Sequence, residues 1–207
     1  MIKRSSLFIL LNLIIIIDTL IILFSSLIKD VSSFHYFTVL SNLFMTIIAI
    51  VAIYSSIKQK SSHFTDALYL IGTTSLVLVF LVVVLFLSSQ YEDPSFLFTG
   101  YNFFLHLLNP IFAVFALLLL KDAKFNKKTC FLALIPPFLY AIVYYIFVVL
   151  KKEWSDFYNF TLGGKEWASF ITLFVILCVT YIISAILVFS YKKLSIQEPQ
   201  KHPSIKG

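Results

Sequence analysis

Hydrophobic residues in this chain run in long blocks, and polar residues are confined mainly to the breaks between them. Six blocks stand out, at about 6 to 28, 34 to 57, 66 to 89, 98 to 120, 130 to 150 and 167 to 190. Each is long enough to cross a hydrocarbon core, which takes roughly 20 helical residues. The apolar/polar alternation of a membrane barrel strand is absent, so the blocks are predicted as helices that satisfy their own backbone groups in lipid. The pattern predicts an all-α fold: a polytopic bundle of six transmembrane helices forming one domain over 1–190, with a short polar tail at 191–207. The first block ends in "FSSLIKDVSSF" with no small-residue cleavage site. It is therefore expected to stay as a helix that also directs insertion.

Composition agrees with the pattern. With 60% hydrophobic and 13% charged residues in 207 and a mean hydropathy of +0.96, the chain cannot be wrapped into one soluble core. Charge adds a direction. Lys3, Arg4, Lys58, Lys60, Lys121, Lys124, Lys127, Lys128, Lys192, Lys193, Lys201 and Lys206 fall on one side of the six predicted helices. Only Lys29, Lys151, Lys152 and Lys165 fall on the other, among Glu92, Asp93, Glu153, Asp156 and Glu166. The positive-inside rule then places both termini in the cytoplasm of a multi-pass cell-membrane protein. The net charge of +6 is read as that topology signal and as attraction to anionic lipid. Nucleic acid is not expected as a partner, for no basic and aromatic groove pattern accompanies the charge. Cys130 and Cys178 lie at different depths and are not expected to pair. No CxxC, HExxH, Walker or GxGxxG motif occurs, so neither metal nor cofactor is expected. The sequence sets no oligomeric state.

Chemistry would have to come from polar residues inside the blocks. Asp18 lies near the middle of the first. In the second, Thr38, Ser41 and Asn42 stand at i, i+3 and i+4, on one helical face. In the fourth, "YNFFLHLLNPIF" places Asn102, His106 and Asn109 at i−4, i and i+3, with Pro110 loosening the backbone. Both helices enter from the same surface. At about 1.5 Å per residue, Thr38 is expected about 6 Å and His106 about 12 Å below it, comparable depths given the uncertainty of helix starts. A Thr hydroxyl is a weak nucleophile until a neutral His removes its proton, so the pair points to nucleophilic catalysis. A third group should fix the ring tautomer. Asp18 within the membrane and Asp156 in a loop are the candidates, and Asn42 or Asn102 are candidate donors to a developing oxyanion. Each has a plainer reading. Thr38 can bond the carbonyl one turn back, the Asn and Ser residues can be interhelical glue, and Asp18 can be a protonated packing group. An intramembrane His is the hardest to assign to packing. Tyr140, Tyr144 and Tyr145 read as packing residues with hydroxyl partners, and "KKEWSDFYNFTLGGKEW" reads as an interfacial cap.

The succession "FHYFTVLSNLF", "FLHLLNP", "PPFLYAIVYY" and "WSDFYNF" resembles that of an uncharacterised group of prokaryotic six-helix membrane proteins, over about 34 to 164. More distantly the chain is similar to the androgen-induced family, whose members hydrolyse fatty acid esters of hydroxy fatty acids with an intramembrane Thr and His. That family places the Thr in an aromatic "F-x-T" context and the His before a Pro. Thr38 in "YFTVLSN" and His106 in "LHLLNP" correspond. The resemblance implies an intramembrane ester hydrolase acting on a lipid-like acyl ester among membrane lipids. Two other readings stay open: a small proton-coupled transporter using Asp18 and His106, and a structural or regulatory subunit with no site.

Overall fold

The computed structural model describes residues 3–29, 34–60 and 62–197. Six helices are long and apolar enough to cross a membrane. They are α1 (Arg4–Lys29), α2 (Phe37–Ile57), α3 (His63–Gln90), α4 (Gly100–Leu118), α5 (Lys127–Leu150) and α6 (Glu166–Gln197). No strand occurs among the described residues. The protein is an all-helical, multi-pass membrane bundle.

Local sequence explains where helices start and stop. Ser62 caps α3, its hydroxyl accepting from the Thr65 amide at 3.1 Å, and Asp66 adds a favourable charge in the first turn. Asn126 and Thr129 form reciprocal capping bonds at the start of α5, which therefore begins at Lys127 rather than near 130. At the other end of α4, the Arg4 guanidinium donates to the carbonyls of Leu118, Leu119 and Leu120 at 3.1–3.2 Å. A cation there satisfies carbonyls that the helix leaves unpaired. The last helix does not end at 190. Tyr191 is buried, donating to the Leu120 carbonyl and accepting from the Ala123 amide, so 191–197 continue α6 as helix instead of opening the expected tail. Residues 198–207 lie outside the described part.

The core lies around α3. Of its most apolar window, 61% is buried against 22% for α5, so α3 is central and α5 peripheral. α1 turns the stripe Phe8, Asn12, Ile15, Thr19, Ile22 inward, a helical 3/4 spacing. Leu10, Leu13, Ile17, Ile21 and Phe24 stay exposed, as a lipid solvent allows. Gly72 lets α2 and α3 approach closely. A Cβ there would meet Met45 Sδ at 2.8 Å and Ile48 Cδ1 at 2.9 Å.

The end of the bundle carrying connections 34–36, 91–99 and 151–165 is irregular. Three helices wind there into π turns: α3 at Val82–Phe86, α4 at Phe104–Leu108 and α5 at Tyr145–Leu150. Single π turns are rare and concentrate at functional sites. A second apolar cluster fills this end, with Val79, Val83, Leu87, Leu97, Tyr144, Val148, Val149 and Tyr158 buried together.

Candidate functional site

Thr38 and His106 both sit at the irregular end, 8% and 7% exposed. The contact between their helices begins at Pro110. In the π turn the Asn109 amide bonds the Phe104 carbonyl, so the next carbonyl, that of Leu105, would look to the amide of residue 110. Proline has none. The Asn42 side chain takes its place, donating to the Leu105 carbonyl at 3.3 Å and to the Thr38 carbonyl at 2.8 Å. One amide nitrogen thus holds the backbone of Thr38 and that of the residue before His106 at one level. The Asn109 amide extends the network to Asn42 Oδ1 at 2.9 Å and Thr19 Oγ1 at 3.3 Å, and the Ser41 hydroxyl donates to the Thr38 carbonyl at 3.1 Å.

The groups that meet the two side chains differ from those expected. His106 Nδ1 donates to the Leu97 carbonyl at 2.7 Å. A carbonyl only accepts, so Nδ1 carries the hydrogen and Nε2 keeps its lone pair. The tautomer is the one a general base requires, but a backbone carbonyl fixes it in place of Asp18 or Asp156. Asp156 is fully engaged elsewhere. Its carboxylate accepts from the Tyr144 and Thr161 hydroxyls and from the amides of Phe160 at 2.8 Å and Thr161 at 2.9 Å. Burial pushes its pKa up, but the Thr161, Tyr144 and amide hydrogen bonds outweigh that and hold the carboxyl below the usual carboxylate range. Asp18 is half-buried, its Oδ2 enclosed with no hydrogen-bond partner among the described residues.

Asn102 does not face a reacting centre. It donates to the Phe96 carbonyl at 3.0 Å and so pins the short 3₁₀ turn Pro94–Phe98 from which the Leu97 carbonyl reaches His106. Asn42 spends its amide on two backbone carbonyls, as above. Neither is free to meet an oxyanion.

Thr38 lines an apolar crevice together with, among others, Phe37, Val79, Val83, Tyr140, Tyr158 and Ile176. Two phenols flank it. Tyr140 donates to the His35 carbonyl at 2.7 Å. Tyr158 is 6% exposed, and its oxygen accepts the Phe37 amide at 3.1 Å while facing the Thr38 hydroxyl and backbone. Burial pushes the Tyr158 phenol up to about 12, against the lowering effect of its hydrogen bonds with Phe37, Tyr140 and Thr38. It stays protonated at neutral pH and so keeps a hydrogen to donate. Sequence reasoning had placed both tyrosines in packing or in the interfacial cap. The only available signal was their hydroxyls close to a polar helix start. No hydrogen bond joins Thr38 Oγ1 to His106 Nε2 among the described residues. A second crevice shares Ala141, Phe160 and Ile176 with the first and lies between α5 and α6.

No family model, curated protein or solved structure matches the chain.

Proposed function

We propose that the protein is an intramembrane hydrolase of lipid-like acyl esters, with Thr38 as nucleophile and His106 as general base. The observation that carries this is Thr38 in the wall of an apolar crevice, its carbonyl tied through Asn42 to that of Leu105, the residue before an imidazole whose tautomer leaves the Nε2 lone pair open. The adjoining crevice between α5 and α6 gives an acyl chain a route from the surrounding lipid. The resemblance of "YFTVLSN" and "LHLLNP" to an intramembrane Thr/His family points the same way. In resting sites the nucleophile–base bond is often long and tightens only with substrate, and the reading requires that closure here. With the topology that the basic residues imply, the crevice opens toward the outer leaflet.

A carrier reading has one observation in its favour, the enclosed Asp18 Oδ2 with no hydrogen-bond partner among the described residues. No hydrogen bond links Asp18 to His106 among the described residues, and Asp18 is not among the residues lining the crevice that Thr38 lines; the crevice is why the hydrolase reading is preferred. The test is labelling with a fluorophosphonate probe in lipid. Wild type should label, and Thr38→Ala and His106→Ala should each abolish labelling. The double variant should be no worse, as expected of groups acting as one unit. Labelling that survives Thr38→Ala would remove the hydrolase reading and leave the carrier or a structural subunit.

A further inference from the structure

We propose that the Tyr158 phenol is the oxyanion donor of this site, a catalytic residue that hydrogen-bonds the ester carbonyl oxygen as it becomes negative. This rests on the hydrolase reading.

The argument is by hydrogen inventory. An acyl-transfer site gains most from donors already aimed at the oxygen that acquires charge, and around Thr38 nearly every donor is committed. The Asn42 amide bonds two carbonyls, Asn102 bonds Phe96, Tyr140 bonds His35 and Tyr144 bonds Asp156. Tyr158 differs from these, having no bond to a backbone carbonyl or carboxylate among the described residues. It receives the Phe37 amide, which fixes the oxygen and occupies one lone pair, while its own hydrogen faces the Tyr140 and Thr38 oxygens in the wall of the same crevice, where an incoming carbonyl oxygen can take their place. The amide donating into the phenol also makes its O–H a stronger donor, since chained hydrogen bonds polarise one another. Phe37 is the first residue of α2, so the positive end of a 21-residue helix lies beside the developing charge.

The steps balance as follows. Thr38 Oγ bonds the ester carbonyl carbon, its proton passes to His106 Nε2, and the carbonyl electron pair moves onto oxygen, where Tyr158 donates to it. Collapse breaks the bond to the alkoxy oxygen, which takes the proton from His106 and leaves as the alcohol. Water then repeats the sequence on the acyl-threonine, releasing the carboxylic acid and restoring the Thr38 hydroxyl. Tyr158 keeps its proton throughout.

The experiment uses the full chain in lipid nanodiscs, with a medium-chain p-nitrophenyl ester and the fluorophosphonate probe. Tyr158→Phe should lower kcat by about 100- to 1,000-fold, the cost of removing one oxyanion donor, with KM little changed. Tyr54→Phe, at an exposed position on α2, should match wild type. Should Tyr158→Phe fail to fold, a fluorinated tyrosine at 158 keeps the ring and lowers the phenol pKa. The alkaline limb of the kcat profile should then move to lower pH. Wild-type kcat in Tyr158→Phe, or an unmoved alkaline limb, overturns the proposal while Thr38-dependent labelling still upholds the hydrolase. Turnover and labelling that survive Thr38→Ala overturn both.

Discussion

Asp156 shows how far a single residue can be read before its neighbours are known. Its position in an acidic, aromatic loop made it a candidate partner for the His106 ring, yet four donors from Tyr144, Phe160 and Thr161 claim the carboxylate. Side-chain partners depend on loop conformation, and no periodicity in the sequence encodes that. Thr38 and His106 stand out as candidates in the sequence because an unexplained polar group in an apolar block is visible without any fold. Leu97, which acts through its carbonyl, carries no signal at all. A pH dependence follows from Asp156. Its folded pKa is depressed, so it binds protons more readily when the loop is released. Its contribution is complete above the unfolded value near 3.9 and is lost as pH falls through the folded one. Limited proteolysis between residues 151 and 165 should be unchanged above about pH 5 and accelerate below about pH 4. Asp156→Asn should be cut readily at every pH. A wild-type cap that is equally resistant at low pH would show that the carboxylate does not hold it.

The elements were legible to the extent that lipid dictates them. A chain in hydrocarbon must close its backbone bonds within each segment, so apolar length alone located six helices to within a few residues at most of their ends. It could not show that three of them wind wider near one end, since a π turn uses the same residue types as an α turn. In α4 this changes the face. Asn102, expected beside His106, instead turns to the 91–99 connection, while His106 and Asn109 stay buried. The link between α4 and α2 predicts a coupling. Asn42→Leu strands the Leu105 carbonyl and the Asn109 amide, and should cost about 1–3 kcal/mol. In a Pro110→Ala background residue 110 regains an amide for the Leu105 carbonyl, so the same substitution should cost measurably less. Thermal unfolding of the four variants in detergent gives the interaction energy directly. Additive costs would mean that the carbonyl does not depend on Asn42.

For the whole molecule, sequence carried the class and the number of crossings but not the arrangement. Every block is apolar over most of its circumference, so the hydrophobic pattern does not mark α3 as central or α5 as peripheral. Those roles follow from small and hydroxyl-bearing positions such as Gly72, Thr73, Thr74 and Ser75, the last three fully buried, which allow close approach. Orientation is a property of the same scale. Applied to the concentration of Lys and Arg at 58–60, 121–128 and the termini, the positive-inside rule predicts that end in the cytoplasm. In a background with Cys130 and Cys178 replaced, Lys127→Cys should resist a membrane-impermeant thiol reagent added to intact cells, and Glu153→Cys should react. The reverse result would move the site to the inner leaflet.

The wide turn at Phe104–Leu108 also makes the register of α4 a matter of chain length. A π turn holds one residue more than an α turn in the same place, and one residue in an α-helix is a rotation of about 100°. A related chain lacking a single residue within this turn would keep an unbroken apolar crossing and the same composition. It would nevertheless shift the residues inside the turn, His106 among them, relative to Asn109 and the flanking helix. Alignments of such chains would have to open a gap in the middle of a transmembrane helix, where gaps are ordinarily forbidden. Relatives with the most regular helix would be those in which the imidazole leaves its place beside the Leu97 carbonyl.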